Sequence, residues 1–597
     1  MNSSFRKGGL ALACATLAFA GYQSHASAGP LTYTLNTVGN YGGEPSFASD
    51  SNGILYDTSP STVHVYRSAD KGVTWTQMAP DPDDNSGDDC LATDEANSLY
   101  WCNLGSSTFS TFPLQADVLK DASNLPAVQA PETCTTTCSW VHGTGILGSS
   151  CGSSCQPLAV DRQWTAASLL NQSSTANAEV VLMYHDFGTA SQIWVNVSTD
   201  GGATFGAPVE VLASSPTPGA VIAQGFTMCN TVPAGVAIVP QTLPNGSPNP
   251  NAGRIYVAWI AADVAENLSG CNVTMAASFH TAFLAWSDDG GTTWSAQGAI
   301  DMGVGHDTST PFAAFTLDNH GNPYIAFASP APLSAGIPPT GDNPATCAAE
   351  SAAGTVQADP SCDFHMWVVA CQPGGSALSG VTCGDGAGLP IPGSASAAHE
   401  VDAGMTTAGT DVFPTIAAGD PGKVDVGWLN TNAIVPTDAA GKFLIGGCSG
   451  STTPPVPNAP PACPWNLMQG QSLDLNLGSA AGTWATSQLT TTPMHVGDIC
   501  NLGIACLGGR HLLDFNQEAV DPTTGCAHIG YADDNLVQKL RAANQTDGPA
   551  IIGTGLCSAA VVTPEAPLSV LLPLGAAAAA VAVGVYSRRR KRVTAQV

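Results

Sequence analysis

The chain has 597 residues, with 46 acidic and 17 Lys or Arg side chains and a formal net charge of −29. A charge of this sign and size argues against nucleic acid and anionic membrane surfaces as partners. Charged residues make up only 11% of the chain, whereas 64 residues are Gly and 43 are Pro. This composition favours a large exported all-β protein over a helical cytosolic one.

The N-terminal segment has the three parts of a secretory signal peptide. Arg6 and Lys7 precede an apolar run over residues 8–20, and residues 26–28 (Ala-Ser-Ala) supply a small-residue cleavage site. We therefore predict a signal peptide over residues 1–28 and expect the bulk of the chain to lie outside the cell.

The cysteines agree with an oxidising compartment, since many of the 19 are close neighbours in sequence. Local disulfides are predicted for five pairs: Cys90 and Cys102, Cys347 and Cys362, Cys371 and Cys383, Cys448 and Cys463, and Cys500 and Cys506. A zinc site at Cys134, Cys138, Cys151 and Cys155 is the alternative for that cluster, but no His completes the ligand spacing.

Seven units recur along the chain, each with an apolar strand, an Asp or Asn turn with Gly, and a second strand containing an aromatic residue. The units cover residues 45–56, 90–101, 164–184, 219–259, 311–327, 413–428 and 512–531. Each unit supplies two strands of a sheet.

A second motif, S-x-D-x-G-x-T followed by an aromatic residue, occurs at residues 68–75, 198–205 and 287–294, and residues 479–484 keep only its end. It predicts a tight hairpin in which the Asp accepts N–H bonds and the Gly takes a positive φ. The motif resembles the Asp box, or BNR repeat, of sialidase-type β-propellers of the bacterial cell-surface type. Where it follows a unit, it adds two more strands.

The expected fold is therefore all-β, a single β-propeller of four-stranded blades over residues 30–541. The repeat count gives seven blades. The resemblance leaves six as the alternative, because sialidases have six, and the Cys-rich second unit (88–156) is then the candidate insertion. A strand over residues 31–36 has no partner nearby, so we expect it to complete the last blade and close the ring.

The C-terminal region predicts a membrane anchor. A stalk over residues 542–567 leads to an uncharged stretch, 568–586, of the length that a bilayer core requires. Residues 587–597 form a basic tail that is expected to stay cytoplasmic. The prediction is a single-pass cell-membrane protein with an extracellular propeller, acting as a monomer.

Ligands of propellers usually bind where the first strands begin, at one mouth of the central channel. Polar residues predicted there are Glu44, Asp161, Arg162, His306, Asp307, Asp411, Arg510, His511 and Asp514. The resemblance to sialidases implies three arginines on a substrate carboxylate, an Asp acid/base and a Tyr nucleophile activated by Glu. On that basis the candidate catalytic residues are Asp161, Arg162, Arg254, Arg510, Asp514 and Tyr531.

Two observations favour other roles for these residues. The N-terminal Arg-Ile-Pro segment of the family is missing, and residues 43–46 read Gly-Glu-Pro-Ser instead. Tyr184 and Tyr531, the latter considered with Glu518, are also typical of second-strand aromatics that pack between blades. The segment 161–164 (Asp-Arg-Gln-Trp) is either a functional mouth or a structural salt bridge that holds the third blade.

No cofactor is predicted, apart from calcium as an option at residues 81–89, a loop dense in Asp that lacks EF-hand spacing. The function predicted first is a membrane-anchored extracellular module that binds a glycan or a cell-surface protein at the channel mouth. The alternatives are an exo-sialidase-type glycoside hydrolase acting on acidic sugars and a structural surface protein.

Overall fold

The computed structural model describes most of the chain between residues 31 and 558. The described residues are 31–39, 43–60, 64–80, 88–104, 114–120, 138–146, 160–170, 178–186, 192–212, 228–263, 279–302, 306–308, 312–330, 364–374, 381–383, 398–403, 405, 409–433, 435, 463–475, 477, 482–499, 511–512, 515–535 and 539–558. The predicted signal peptide (1–28), the predicted transmembrane helix (568–586) and the basic tail (587–597) lie outside these ranges. Among the described residues, no helix has the length and apolar character needed to cross a bilayer.

Seven antiparallel sheets form a seven-bladed β-propeller. Blade 1 consists of β2 (Ser46–Ser49), β3 (Leu55–Thr58), β4 (Tyr66–Ser68) and β5 (Thr76–Gln77). Blade 2 consists of β6 (Asp89–Thr93), β7 (Leu99–Leu104), β8 (Leu114–Lys120) and β9 (Ser139–His142). Blade 3 consists of β10 (Val160–Leu169), β11 (Ala178–Asp186), β12 (Gln192–Ser198) and β13 (Val209–Glu210).

Blade 4 consists of β14 (Met228–Ile238), β15 (Ile255–Asp263), β16 (Thr281–Ser287) and β17 (Ser295–Asp301). Blade 5 consists of β18 (Ala314–Leu317), β19 (Pro323–Ser329) and β20 (His365–Pro373), and both β21 (Val381–Cys383) and β22 (Ala398–Glu400) pair with β20. Blade 6 consists of β23 (Thr410–Ala418), β24 (Val424–Thr431), β25 (Pro464–Ser472) and β26 (Ala485–Gln488), with β27 (His495–Val496) on β25. Blade 7 consists of β28 (Gln517–Asp521), β29 (Cys526–Asp533), β30 (Lys539–Asp547) and β1 (Thr32–Gly39).

The first strand of the chain closes the ring, as predicted. β1 pairs with β30 in antiparallel register from Thr32 opposite Asp547 to Gly39 opposite Leu540. The innermost strands β2, β6, β10, β14, β18, β23 and β28 contact one another in that order, and β28 contacts β2 again. Blade 7 is thus built from both ends of the propeller sequence.

The second unit is a complete blade and not an insertion, so the six-blade alternative is wrong. Its strands β8 and β9 pair in register from Asp117 opposite His142 to Lys120 opposite Ser139. β9 has only four residues and is separated from β8 by residues 121–138, so the sequence pattern of this pair was weak. In the fourth unit, the predicted first strand at 219–222 lies outside the described residues, and the inner strand is Met228–Ile238.

The three S-x-D-x-G-x-T turns share one hydrogen-bond pattern and connect the third and fourth strands of blades 1, 3 and 4. In blade 1, Thr74 N and Thr74 Oγ1 donate to the two oxygens of Asp70 at 2.8 and 2.6 Å, and Gly72 N donates to Ser68 Oγ at 2.9 Å. Gly72 has a φ of 80°, and a Cβ there would lie 2.0 Å from Asn544 Oδ1 of blade 7. Only Gly satisfies both conditions.

Burial raises the pKa of the turn carboxylates, but the donated hydrogen bonds outweigh it and lower the pKa of Asp70, Asp200 and Asp289 below its usual range. The carboxylates are therefore ionised structural acceptors.

Blade 6 contains a fourth turn of this kind, split by an insertion. Residues 479–484 keep only the end of the motif, but Asp474 Oδ1 accepts Thr483 N at 2.8 Å and Ser472 Oγ at 3.4 Å. The residue pairs match those of the other turns, with Ser472 and Asp474 supplied from upstream. The sequence pattern missed them because residues 475–481 separate the two halves.

The turns between the first and second strands repeat a different arrangement, an Asp and a Tyr six residues later. Asp94 Oδ1 accepts the N–H groups of Ala96 and Ser98 at 2.9 and 2.8 Å, and Tyr100 Oη donates to Asp94 Oδ2 at 2.9 Å. Asp50 with Tyr56 and Asp318 with Tyr324 are bonded in the same way. These second-strand tyrosines are buried between blades, as predicted.

Disulfides link three pairs of described cysteines: Cys90 with Cys102, Cys371 with Cys383, and Cys526 with Cys557. The first two are predicted neighbour pairs. The third ties the chain after β30 back to the start of β29. Since β30 runs through residue 541 to Asp547 and Cys557 is bonded to blade 7, the described residues from 542 onward pack with the propeller.

Two carboxyl groups are buried between blades 6 and 7. Gln469 Nε2 donates to Glu518 Oε1 at 2.9 Å, and Gln471 Nε2 donates to Asp425 Oδ2 at 3.4 Å. Burial raises the pKa of Asp425 to about 7. Burial and the charge of Asp425 also raise the pKa of Glu518 well above its usual range. Both carboxyls therefore favour the protonated form in the folded protein.

The buried carboxyls Asp425 and Glu518 predict a contribution to stability that is largest in acid. A pKa raised from 3.8 to about 7 adds stability that is fully present below pH 3.8 and is lost as the pH rises towards 7. At about 1.4 kcal/mol per pKa unit, Asp425→Asn should raise the free energy of unfolding at pH 8 relative to the parent, by on the order of 4 kcal/mol. At pH 4 the two proteins should match.

Urea denaturation of the full chain at both pH values measures this, with Asp547→Asn on the exposed end of β30 as the control. An Asp425→Asn protein whose stability tracks the parent at every pH would contradict the assignment.

The split turn predicts that Asp474 is as important to blade 6 as Asp289 is to blade 4. Each aspartate accepts three hydrogen bonds at a partly solvated site, so Asp474→Ala and Asp289→Ala should each cost about 1–2 kcal/mol of unfolding free energy. Thermal unfolding of both variants tests the equivalence. If Asp474→Ala behaves like the parent protein, the upstream half of the turn is not structural.

Candidate functional site

The two ends of the channel differ in the elements that surround them. Leu91 N donates to Ser46 Oγ at 2.8 Å, and Ser46 Oγ donates to Gln517 Oε1 at 2.7 Å, so the starts of β6, β2 and β28 meet at one end. We call this end the mouth face. Because neighbouring strands in each blade are antiparallel, both kinds of Asp turn lie at the opposite end, the turn face.

Arg162 lies buried at the mouth face. It occupies a bulge in β10 between Asp161 and Trp164 and has a φ of 55°, a conformation that non-Gly residues seldom adopt. Its Nη2 donates to Glu44 Oε1 at 3.0 Å and lies 3.7 Å from Asp88 Oδ2. Arg162 is 2% exposed and Glu44 is 1% exposed. The bulge therefore turns the arginine towards blades 1 and 2.

Aromatic rings surround the same guanidinium group. Its carbon lies 4.1 Å from the ring centre of Phe515 and 4.3 Å from that of Phe312. The channel beside these rings holds a cavity of about 160 Å³, lined by Trp164, Phe312 and Phe515 together with backbone and side chains of five inner strands. Arg162 thus joins blades 1, 2 and 3. This placement favours the interpretation of residues 161–164 as a structural salt bridge over their interpretation as a functional mouth.

Arg254 lies at the turn face and not at the mouth. It immediately precedes β15, level with the end of inner strand β14, and its Nε and Nη2 donate to the two oxygens of Asp288 at 2.7 and 3.1 Å. Its Nη1 donates to Tyr256 Oη at 3.2 Å. The structure therefore separates Arg254 from Arg162, and the two do not form a clamp.

The remaining candidates have mixed placements. Arg510 and Asp514 lie outside the described residues, as do residues 81–87 of the calcium option. The backbone of Asp161 pairs with His185 in β11, and its side chain lies outside the described set. Tyr531 is 1% exposed in the apolar cluster between blades 6 and 7, where burial raises its pKa above the usual range. Tyr184 is buried between blades 2 and 3.

The mouth face instead presents a histidine held by a shared carboxylate. Asp534 Oδ2 lies 2.9 Å from His511 Nδ1, and Asp534 Oδ1 lies 2.7 Å from His495 Nδ1. His495 Nε2 also faces the carbonyl oxygen of Asp498 at 2.9 Å. Burial raises the pKa of Asp534, but the hydrogen bonds and charges of the two imidazoles outweigh it and lower that pKa.

His511 is the accessible member of this group, with its side chain 68% exposed. Its Nδ1 is oriented by Asp534, so Nε2 is the ring nitrogen that a ligand can meet. The next residue, Leu512, accepts a backbone hydrogen bond from Glu44 N at 3.1 Å. The backbone next to His511 is therefore bonded to the segment that carries Glu44, at the edge of the channel mouth.

A second group lies at the mouth face between blades 5 and 6. His365 Nδ1 lies 2.9 Å from Asp402 Oδ2 and 3.4 Å from Glu400 Oε1. Burial lowers the pKa of His365, but the hydrogen bond to Asp402 and the two negative charges outweigh it and raise the pKa to about 9. Behind them, Asp411 accepts from Trp428 Nε1 at 2.9 Å and Asn430 Nδ2 at 2.6 Å. Burial and the charge of Asp402 raise the pKa of Asp411 well above its usual range.

Asp411 and His511 were identified from the sequence, whereas His365, Glu400, Asp402 and Asp534 were not. His365 begins a third strand, and Glu400 and Asp402 follow a Gly/Ser/Ala-rich segment interpreted as a surface loop. The signal was the run His399-Glu400-Val401-Asp402, which places two carboxylates on one side of an extended segment. Of the other predicted residues, Asp307 Oδ1 accepts Phe279 N at 2.9 Å.

No protein-family model matches the chain, and no curated protein matches it. Among solved structures it is similar to a PL25 ulvan lyase bound to -[GlcA(1-4)Rha3S]-, at 11% identity and a TM-score of 0.41, over 88% of this chain and 98% of that one. It is also similar to the GH74 enzyme of Niastella koreensis, at 12% identity and a TM-score of 0.36, over 85% and 55% of the two chains.

A third similar structure is the leech intramolecular trans-sialidase, at 12% identity and a TM-score of 0.32, over 86% of this chain and 70% of that one. At these identities and scores the likeness bears on the fold alone.

The buried ion pair predicts a large stability loss when one partner is removed. Arg162→Met leaves Glu44 buried without that counter-charge, and the free energy of unfolding should fall by about 3–5 kcal/mol. The double variant Arg162→Met with Glu44→Gln should recover most of the loss. Urea denaturation provides the measurement.

Arg541→Met is the matched control, because its ion pair with Asp533 is partly exposed and should contribute less than about 1 kcal/mol. A loss for Arg162→Met that is no larger than this control would argue against the structural role of the pair.

Proposed function

We propose that the protein is an extracellular β-propeller that binds an uncharged glycan at its mouth face. The observation that carries the proposal is the exposed imidazole of His511, fixed by Asp534 at the edge of the channel. A polar group that is both accessible and held in one orientation is what a hydroxyl-rich ligand needs for specific hydrogen bonds.

The polar groups at the mouth favour a hydrogen-bond donor as ligand. Asp534 holds Nδ1 of His511, and Nε2 of a neutral imidazole that donates through Nδ1 accepts a hydrogen bond from a hydroxyl group. The described arginine at this face, Arg162, is buried against Glu44 and aromatic rings. With a net charge of −29, the chain repels acidic sugars at a distance. A neutral saccharide meets these conditions better than a sialoside.

The proposal includes display outside the cell, which rests on the signal-peptide and anchor patterns of the sequence. Its alternative is a sialidase-type hydrolase acting on acidic sugars. That chemistry requires several arginines around one carboxylate, and the placement of Arg254 on the turn face weighs against it. A purely structural surface protein is the third alternative. That function does not require an exposed imidazole held in one orientation, as His511 is by Asp534.

Binding to a glycan array should distinguish these alternatives. We expect the full chain to bind neutral glycans without turnover. His511→Gln and Asp534→Asn should each weaken binding of the best ligand at least about 10-fold, the loss of roughly one good hydrogen bond. His320→Gln on the turn face should leave the affinity unchanged.

Affinity for selected ligands is measured by calorimetry, and turnover with fluorogenic sialosides. Release of sialic acid, or binding that is indifferent to both mouth variants, would reject the proposal.

A further inference from the structure

Three side chains of different types converge at the mouth face of blade 5. His365 begins β20, Glu400 ends β22, and Asp402 follows two residues later. One donor atom from each lies within 4.8 Å of the others, the one such group of three among the described residues. The pairs measured from His365 Nδ1 are 2.9 Å to Asp402 and 3.4 Å to Glu400.

The backbone holds these three residues in place. Glu400 lies opposite Trp367 where β22 pairs with β20, and Val401 N donates to Met366 O at 2.8 Å. The second oxygen of Asp402 accepts Met366 N at 3.0 Å. All three residues are thus fixed by one pair of strands, so bringing their donor atoms together requires no rearrangement of the fold.

We propose that His365, Glu400 and Asp402 form a divalent-metal site that selects Zn²⁺, with water completing the coordination. Ligands held tetrahedrally at about 2.0–2.2 Å from zinc lie about 3.3–3.6 Å from one another. The observed separations of 2.9 and 3.4 Å need only small side-chain shifts to reach that geometry.

The donor set decides between metals. An imidazole nitrogen with two carboxylate oxygens is a set that zinc accepts readily, whereas Ca²⁺ takes six to eight oxygen ligands and Mg²⁺ retains most of its waters. The side chains of His365, Asp402 and Glu400 are 20%, 10% and 34% exposed, so an ion can reach them from solvent.

The buried residue behind the site supports it. Asp411 contacts Asp402 and is itself held by Trp428 and Asn430 at 2.9 and 2.6 Å. Such an outer partner fixes the orientation of a ligating carboxylate and contributes to metal affinity. The neighbouring blade offers a comparison, because His280 Nδ1 lies 2.6 Å from Asp301 there and belongs to no such group of three among the described residues.

Calorimetric titration of the chelator-treated full chain with Zn²⁺, Mn²⁺ and Ca²⁺ tests the site. The parent should bind one Zn²⁺ more tightly than Mn²⁺ and should show an upward Tm shift with zinc. Glu400→Gln and His365→Gln should each weaken zinc binding at least about 30-fold, because each removes a direct ligand. His280→Gln is the matched control and should keep the parent affinity within about twofold.

The outcomes are separable from those for glycan binding, which is tested at His511 and Asp534. Absence of zinc binding, binding that both ligand variants retain, or a preference for Ca²⁺ at this site would each overturn the proposal. Glu400 is the most exposed ligand, so Glu400→Gln should keep the fold. Circular dichroism checks this, and a folded variant that still binds zinc like the parent is decisive.

Discussion

Pairing between β1 and β30 is the interaction on which the rest of the propeller depends. Each blade is a small sheet whose two faces are covered only by its neighbours, so an open ring would expose two apolar faces and a row of unpaired backbone groups. The eight residues of β1 bring a strand from the beginning of the propeller to its last sheet. The buried carboxyls Asp425 and Glu518 lie between that closing blade and blade 6.

The mouth face shows how a chain poor in arginine and lysine handles its carboxylates. Several described carboxylates at this face lie against imidazoles: Asp301 against His280, Asp402 against His365, and Asp534 against His495. The buried Arg162 at this face has a structural role, since it pairs with Glu44 and joins blades 1, 2 and 3. An imidazole counter-ion differs from a guanidinium group because it can give up its proton or exchange it for a metal.

Local chemistry explains why the scaffold could be predicted from the sequence. Blade number and ring closure follow from alternating strands and from turn residues that act within a few positions, as Asp70 does on Thr74. The motif at Asp474 shows the limit, because an insertion hid a turn whose hydrogen bonds are intact.

The mouth could not be predicted to the same degree, since its partners are distant in sequence. Glu44 and Arg162 are separated by 118 residues, and Asp402 is 37 residues from His365. Nothing local marks Arg162 as buried, because its environment is assembled from blades 1, 2, 5 and 7. The resemblance to sialidases suggested an arginine clamp on residue type alone, and residue type does not determine the end of the channel at which a side chain lies.

The disulfide between Cys526 and Cys557 has a mechanical consequence. A pulling force applied to the chain after Cys557 passes through the sulfur atoms to the start of β29, in the middle of blade 7. It bypasses β30, which would otherwise be peeled from β1 one hydrogen-bonded pair at a time. The covalent link therefore shields the seam of the ring from tension and lets the propeller carry load at its C-terminal end while remaining closed.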